Sequence, residues 1–235
     1  MRFVLHFLTA VFFLHTVAAQ NGGTVVQGGI LVSNPGNKPV YLRDVFSTPL
    51  QPKSYPGIDG SPFLYDNWLL AKLKFSDDRV VDSIYIKLNA YENKVHFKDE
   101  NGEEMQASVK ISEITITDND PKWHNLVFRS GYEGDINAFF QVLTDGRKLQ
   151  LLKKIMVIKW ESTAIGEEGK KTFQLDQELF FSANEILFRQ NKKCSSLTDV
   201  FKANKEDILR FVSANNIRCD KEDDMKKLAD YFNSL

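Results

Sequence analysis

The stretch VVDSIYIKLNAYENKVHFK, residues 80–98, decides the fold. Ile84, Ile86 and Leu88 fall on one side, and Ser83, Tyr85 and Lys87 on the other, which is the period of two of a half-buried strand. Val95 and Phe97 share a face in the next segment, so alternation turns His96 the other way, toward solvent. Asn101-Gly102 follows, a pair that tolerates the positive φ angles of tight hairpins. The strands it joins are therefore expected to pair antiparallel.

The pattern continues downstream. KISEITIT and HNLVFRS are separated by the polar DNDPKW, residues 118–123. AFFQVLT, Asp145-Gly146 and RKLQLLKKIMVIKW form a second hairpin signal, and KTFQL, ELFF and EILFR complete the set. No alternation of strand and long helix appears, which argues against a parallel sheet. The expected fold class is mainly β, an antiparallel sheet, sandwich or open barrel, with a small C-terminal α-helical module.

That module is read from a change of period after Asn191. Leu197, Val200 and Phe201 recur at i, i+3, i+4, as do Ile208, Phe211 and Val212, then Met225, Leu228 and Ala229 with Phe232 a turn later. Ser196, Asn204 and Asp220 each stand three residues before an aspartate, the arrangement of a helix cap with an acid in the first turn. Three short helices are expected over 191–235. A bundle this small needs either to dock on the sheet or to be stapled.

Upstream of residue 61 the chain reads differently. Residues 1–19 resemble a secretory signal peptide: Arg2, an apolar run, and small residues at Val17–Ala19 before a start at Gln20. The rival reading, an uncleaved anchor, meets an apolar run broken by His6, Thr9 and His15 and shorter than the ~20 residues of a usual span. Residues 20–60 are rich in Pro and Gly and are expected to be irregular, a linker or a strap. The domain plan is thus a signal at 1–19, an irregular segment at 20–60, a β domain at 61–190 and helices at 191–235. The expected location is extracytoplasmic, periplasmic or secreted, with no membrane span after signal cleavage.

Removal of the first nineteen of 235 residues leaves 216, with 29 basic and 31 acidic residues, a net charge of −2. That balance gives no general attraction to nucleic acid or anionic lipid. Cys194 and Cys219 are the two cysteines; in an exported chain an even pair suggests a disulfide, with two separate thiols as the alternative.

Signals for catalysis are sparse. There is no nucleophile elbow, zinc-protease helix, P-loop or dinucleotide fingerprint, and no cofactor or metal site is expected. Beyond the signal only His96 and His124 remain, both expected at the surface. DENGEE, residues 99–104, has its glycine in the wrong place for a calcium loop and reads as a hairpin turn. Asp118, Asp120 and His124 could meet in space but also form an Asx-rich turn stopped by Pro121. Aromatics say more. Those in AFFQVL and LFFSANEILF sit inside strand patterns and belong to the core, whereas PFLYDNW, residues 62–68, precedes a strand and lies outside the alternation. Phe63, Leu64 and Trp68 are expected to plug one end of the sheet, with Asp66 and Asn67 holding a turn. Phe63, Tyr65, Trp68, Trp123 and His124 are the candidate ligand-binding residues.

Gly60–Trp68 (GSPFLYDNW), Asn89 with Tyr91, and Phe97-Lys98 ahead of a hairpin resemble, in that order, an uncharacterised family of exported proteins from Bacteroidota-type bacteria. FFQVLTDGRKLQLLKK and KLADYFNSL are similar to family segments too, so the resemblance spans Gly60 to Leu235. It implies export and strands followed by helices. The cysteine pair departs from the family pattern, and no activity carries over. The function expected is binding rather than catalysis, of a lipid, an envelope glycan or an envelope protein. Two alternatives stand beside it: a carboxylate-dependent hydrolase of envelope polymers, and a structural protein that docks partners through its C-terminal helices.

Overall fold

The computed structural model describes residues 48–49, 55–99, 102–194, 197–201 and 204–235. The expected signal peptide and most of the irregular segment lie outside them. The first strands are short: β1 (Thr48–Pro49) and β2 (Ile58–Asp59). Then come β3 (Leu69–Phe75), β4 (Val80–Asn89), β5 (Lys94–Lys98), β6 (Glu104–Gln106), β7 (Ile111–Ile116) and β8 (Val127–Arg129). After them run β9 (Phe140–Asp145), β10 (Gln150–Glu161), β11 (Lys171–Ala183) and β12 (Ile186–Arg189). All join one open sheet in the order β1-β6-β5-β4-β3-β7-β8-β9-β10-β11-β12, with β2 beside β11. Every pairing is antiparallel except β2 with β11. The mainly β class and the two hairpin turns are as the sequence indicates.

Strand β4 contains a bulge that its alternation conceals. Ala71 faces Ile84 but Leu73 faces Val81, so Asp82 and Ser83 together oppose Lys72. Ser83 takes φ +57, and its amide donates to the Asp82 carboxylate at 2.7 Å. The extra residue lets Val81 and Ile84 both point inward, and it bends the strand. A second irregularity lies between β3 and β7 at Phe75. Bent in this way, β3–β8 curl round a contiguous core in which Leu73, Phe75, Ile84, Ile86, Phe97, Ile114 and Phe128 are fully buried. The curl is fastened across its mouth. Asn93, in the β4–β5 turn, donates from Nδ2 to the Asn137 carbonyl and accepts from the Phe139 amide at 3.2 Å, joining segments four strands apart in the sheet.

The other half of the sheet is covered by helices. Helix α1 (Leu197–Val200) is a single turn, followed by α2 (Lys205–Ala214) and α3 (Glu222–Ser234). Of the three helices expected, then, two are full and one is a turn. Met225, Leu228 and Ala229 of α3 are buried against Leu149, Leu151 and Phe181. Phe201 bridges the layers, 5.5 Å from the Phe181 ring and 4.6 Å from Phe232. Cys194 and Cys219 form a disulfide, Cα–Cα 5.3 Å, with Cys219 inside this second core.

Of the caps the sequence suggests, Asn204 stands where expected, Asp220 does not, and Ser196 lies outside the described residues. Asn204 does precede α2, but its side chain makes no cap bond, and Lys221 rather than Asp220 precedes α3. Asn233 supplies the firmer fastening. Its Oδ1 accepts from the amides of Lys148 and Leu149, both at 3.1 Å, while Nδ2 donates to the carbonyls of Leu149 and Ala229. A Cβ on Gly146 would sit about 2.0 Å from this amide, so glycine is required for the close approach of the β9–β10 turn.

Candidate binding surface

The outer face of the curled sheet carries the most unusual grouping of side chains. Cross-strand register places Lys87 of β4 beside His96 of β5, and His96 beside Gln106 of β6. Residues 62–64 extend the lane of β3: Phe63 bridges to Asn89, the Leu64 amide donates to the Leu88 carbonyl at 2.9 Å, and the Tyr91 amide to the Pro62 carbonyl at 3.1 Å. The chain then dips inward at Tyr65 and returns at Trp68. Phe63 and Trp68 are thereby left on the outer face, on either side of Lys87.

The Lys87 ammonium stands 5.2 Å from the Phe63 ring centre and 5.1 Å from that of Trp68. Lys98 approaches the same indole at 5.0 Å. Each such contact contributes about 0.5–1 kcal/mol where solvent reaches it, which favours these lysine positions without fixing them. Among the described residues neither ammonium has a carboxylate within ion-pairing distance. Two cations flank one half-buried indole.

His96 lies beneath this group. Alternation does turn it away from Val95 and Phe97, but it is not solvated: Phe63 lies edge-on at 5.3 Å and only 6% of the residue is exposed. Its Nδ1 is buried with no hydrogen-bond partner among the described residues. Burial pushes its pKa below the ordinary histidine value; Lys94 and Lys87 push the same way, against Glu104 and Glu92.

The remaining candidates form a separate pair. Tyr65, not Phe63 or Trp68, is the plug: it is buried, stacks at a tilt 5.2 Å from Trp123, and burial raises its phenol pKa well above the ordinary value. Leu64 packs against the first core as expected, whereas Asp66 and Asn67 are exposed rather than holding a turn. Lys122 covers Trp123 at 4.3 Å. His124 is exposed, and its Nδ1 lies 2.8 Å from the Asp118 carbonyl.

The acids suited to hydrolysis are taken up by their own loop. Asp118 accepts from the amides of Asp120 at 3.0 Å and Leu70 at 3.2 Å, and these bonds hold its carboxyl below the usual range. Asp120 accepts from the Lys122 amide at 2.9 Å. Asp99 likewise accepts from the Glu103 amide at 2.8 Å. Among the described residues no group of three His, Cys, Asp or Glu side chains could hold a metal ion, and no helix is long and apolar enough to cross a membrane.

Comparison with known protein families, curated proteins and solved structures finds no match to this chain. Sequence reasoning singled out Phe63 and Trp68, which lie in this grouping, but not Lys87 or Lys98, and it placed His96 in solvent where the structure buries it. The register set by the β4–β5 hairpin was the signal that could have found them, since it places 87 and 96 side by side.

Proposed function

We propose that this is an extracytoplasmic binding protein that holds an acidic glycan on the Phe63–Trp68 face without chemically altering it. The observation that carries this reading is the Trp68 indole flanked by the ammoniums of Lys87 and Lys98, neither of them ion-paired among the described residues. The two ammoniums beside the indole attract carboxylate or sulfate groups, and the aromatic surface they leave open meets the C–H surface of a sugar. The lipid-carrier alternative has less support, because the curl of β3–β8 is filled by its own side chains. Docking through the C-terminal helices also has less, because their apolar faces are used against β9–β11. The hydrolase alternative loses its pair of acids to the Asx turns at 118–122. Export rests on the signal-like start and on the resemblance to Bacteroidota-type exported proteins, and the disulfide is compatible with an oxidising compartment.

Calorimetric titration with polygalacturonate, and with neutral dextran as control, tests the reading. Binding is expected for the acidic polymer alone, weakening as salt rises. Trp68→Ala and the double variant Lys87→Gln/Lys98→Gln should each weaken it about tenfold, the effect of ~1.4 kcal/mol. Equal heats from dextran, or undiminished binding by the double lysine variant, would refute it.

A further inference from the structure

Strand β11 leaves a slot in the edge of the sheet. Along one side it pairs with β10 from Lys171 to Ser182, twelve of its thirteen residues. Along the other, among the described residues, it is covered only at its ends, by β2 at Lys171–Thr172 and by β12 at Phe180–Ala183. The Gln190 amide extends the β12 side by one bond, donating to the Leu179 carbonyl at 2.8 Å. That bond fixes the parity of the strand: odd-numbered residues turn their amide and carbonyl groups outward. The Gln177 amide is satisfied by the Asp176 carboxylate at 2.8 Å. The Leu175 amide and carbonyl and the Gln177 carbonyl point out of the sheet with no protein partner among the described residues. Leu175 itself is 56% exposed.

The slot has a defined beginning. After Ile58–Asp59 the chain turns off the edge at Gly60, φ +89, where a Cβ would stand 3.1 Å from the Phe173 carbonyl oxygen. From Phe173 to Leu179 is roughly 20 Å at ~3.3 Å per residue, room for five or six residues of a guest strand. A second copy does not fit as that guest through its own β11. Two β11 strands laid side by side would each run on into the places that β2 and β12 hold.

We infer that this edge receives a short extended peptide segment of another protein, added as a strand between β2 and β12. Backbone bonds to Leu175 and Gln177 hold it, as in other cases of β-strand addition. Its side chains alternate. On one face an apolar residue covers Leu175, which shares its face with Val157 and Phe173. On the other a cationic residue lies against Asp176.

A displayed library of random eight-residue peptides, panned against the protein, supplies the probe. Enriched sequences should alternate apolar and basic residues, and the synthetic peptides should slow hydrogen exchange at the Leu175 amide. Leu175→Pro removes an outward amide and no ladder bond, so the sheet tolerates it, and affinity should fall at least tenfold. Trp68→Ala should leave affinity unchanged. A control independent of any variant's folding is N-methylation of alternate peptide residues: one set of positions should abolish binding and the complementary set should not. No enriched sequence, or binding insensitive to both Leu175→Pro and N-methylation, overturns the inference. So does concentration-dependent protection of Leu175 in the protein alone, which would make the guest a second copy.

Discussion

The two halves of the sheet bury their apolar faces by different means. Strands β3–β8 curl, helped by the Ser83 bulge, and cover themselves, with Asn93 closing the mouth. Strands β9–β12 take their cover instead from α2 and α3, fastened by a disulfide, by Lys153–Glu222 at 2.9 Å and by Asn233. A bent sheet can make a core from local sequence alone. The other half depends on a layer delivered from elsewhere in the chain, and that layer needs fasteners.

Paired truncations should break the comparison most sharply. Phe97→Ala and Phe201→Ala remove rings of equal burial, one from each core, and each should cost about 4 kcal/mol. Their hydrogen-exchange patterns should differ: Phe97→Ala exposes amides across β3–β8, whereas Phe201→Ala releases the helices and leaves β3–β5 protected. Identical exchange in both variants would mean the halves open as one unit. Removing the disulfide, which spans 25 positions, should come next at about 3 kcal/mol in denaturant unfolding, with the loss confined to the helical half.

The smallest effect concerns His96. Its folded pKa lies below the unfolded value near 6.5, so the unfolded chain takes up the proton more readily. Stability from this group is full above pH ~6.5 and declines as pH falls from there through the lower folded value. His96→Gln should flatten that part of the stability–pH curve; an unchanged slope would show that His96 is not its source.

The strands of the first half were legible because each carries its own alternation, and the hairpins because Asn-Gly and Asp-Gly declare themselves. The Ser83 bulge was not, since a residue at positive φ inside a strand leaves no mark beyond a phase slip between Val81 and Ile84. Nor was the continuity of β11: Asp176 and Gln177 look like a break between KTFQL and ELFF, yet an exposed edge tolerates polar residues that a buried strand would not. The burial of His96 depends on Phe63 arriving from a segment outside the alternation, which no period within β5 could announce. Of the helix caps, Asn204 was legible in position although its side chain makes no cap bond, and the start of α3 lies one residue beyond Asp220, because docking supplies most of a short helix's stability.

The strand order has a consequence in time. From β6 to β12, every neighbour in the sheet is also a neighbour in sequence except β3 and β7, which meet with Ala71 opposite Ile116. Two meanders can zip up from their own turns within microseconds, because each closes only a short loop. Joining them requires closing the long excursion through β4–β6, a step whose entropic barrier the local hairpins do not share. Within β3–β12 the β3–β7 seam is therefore expected to form after the hairpins on either side of it.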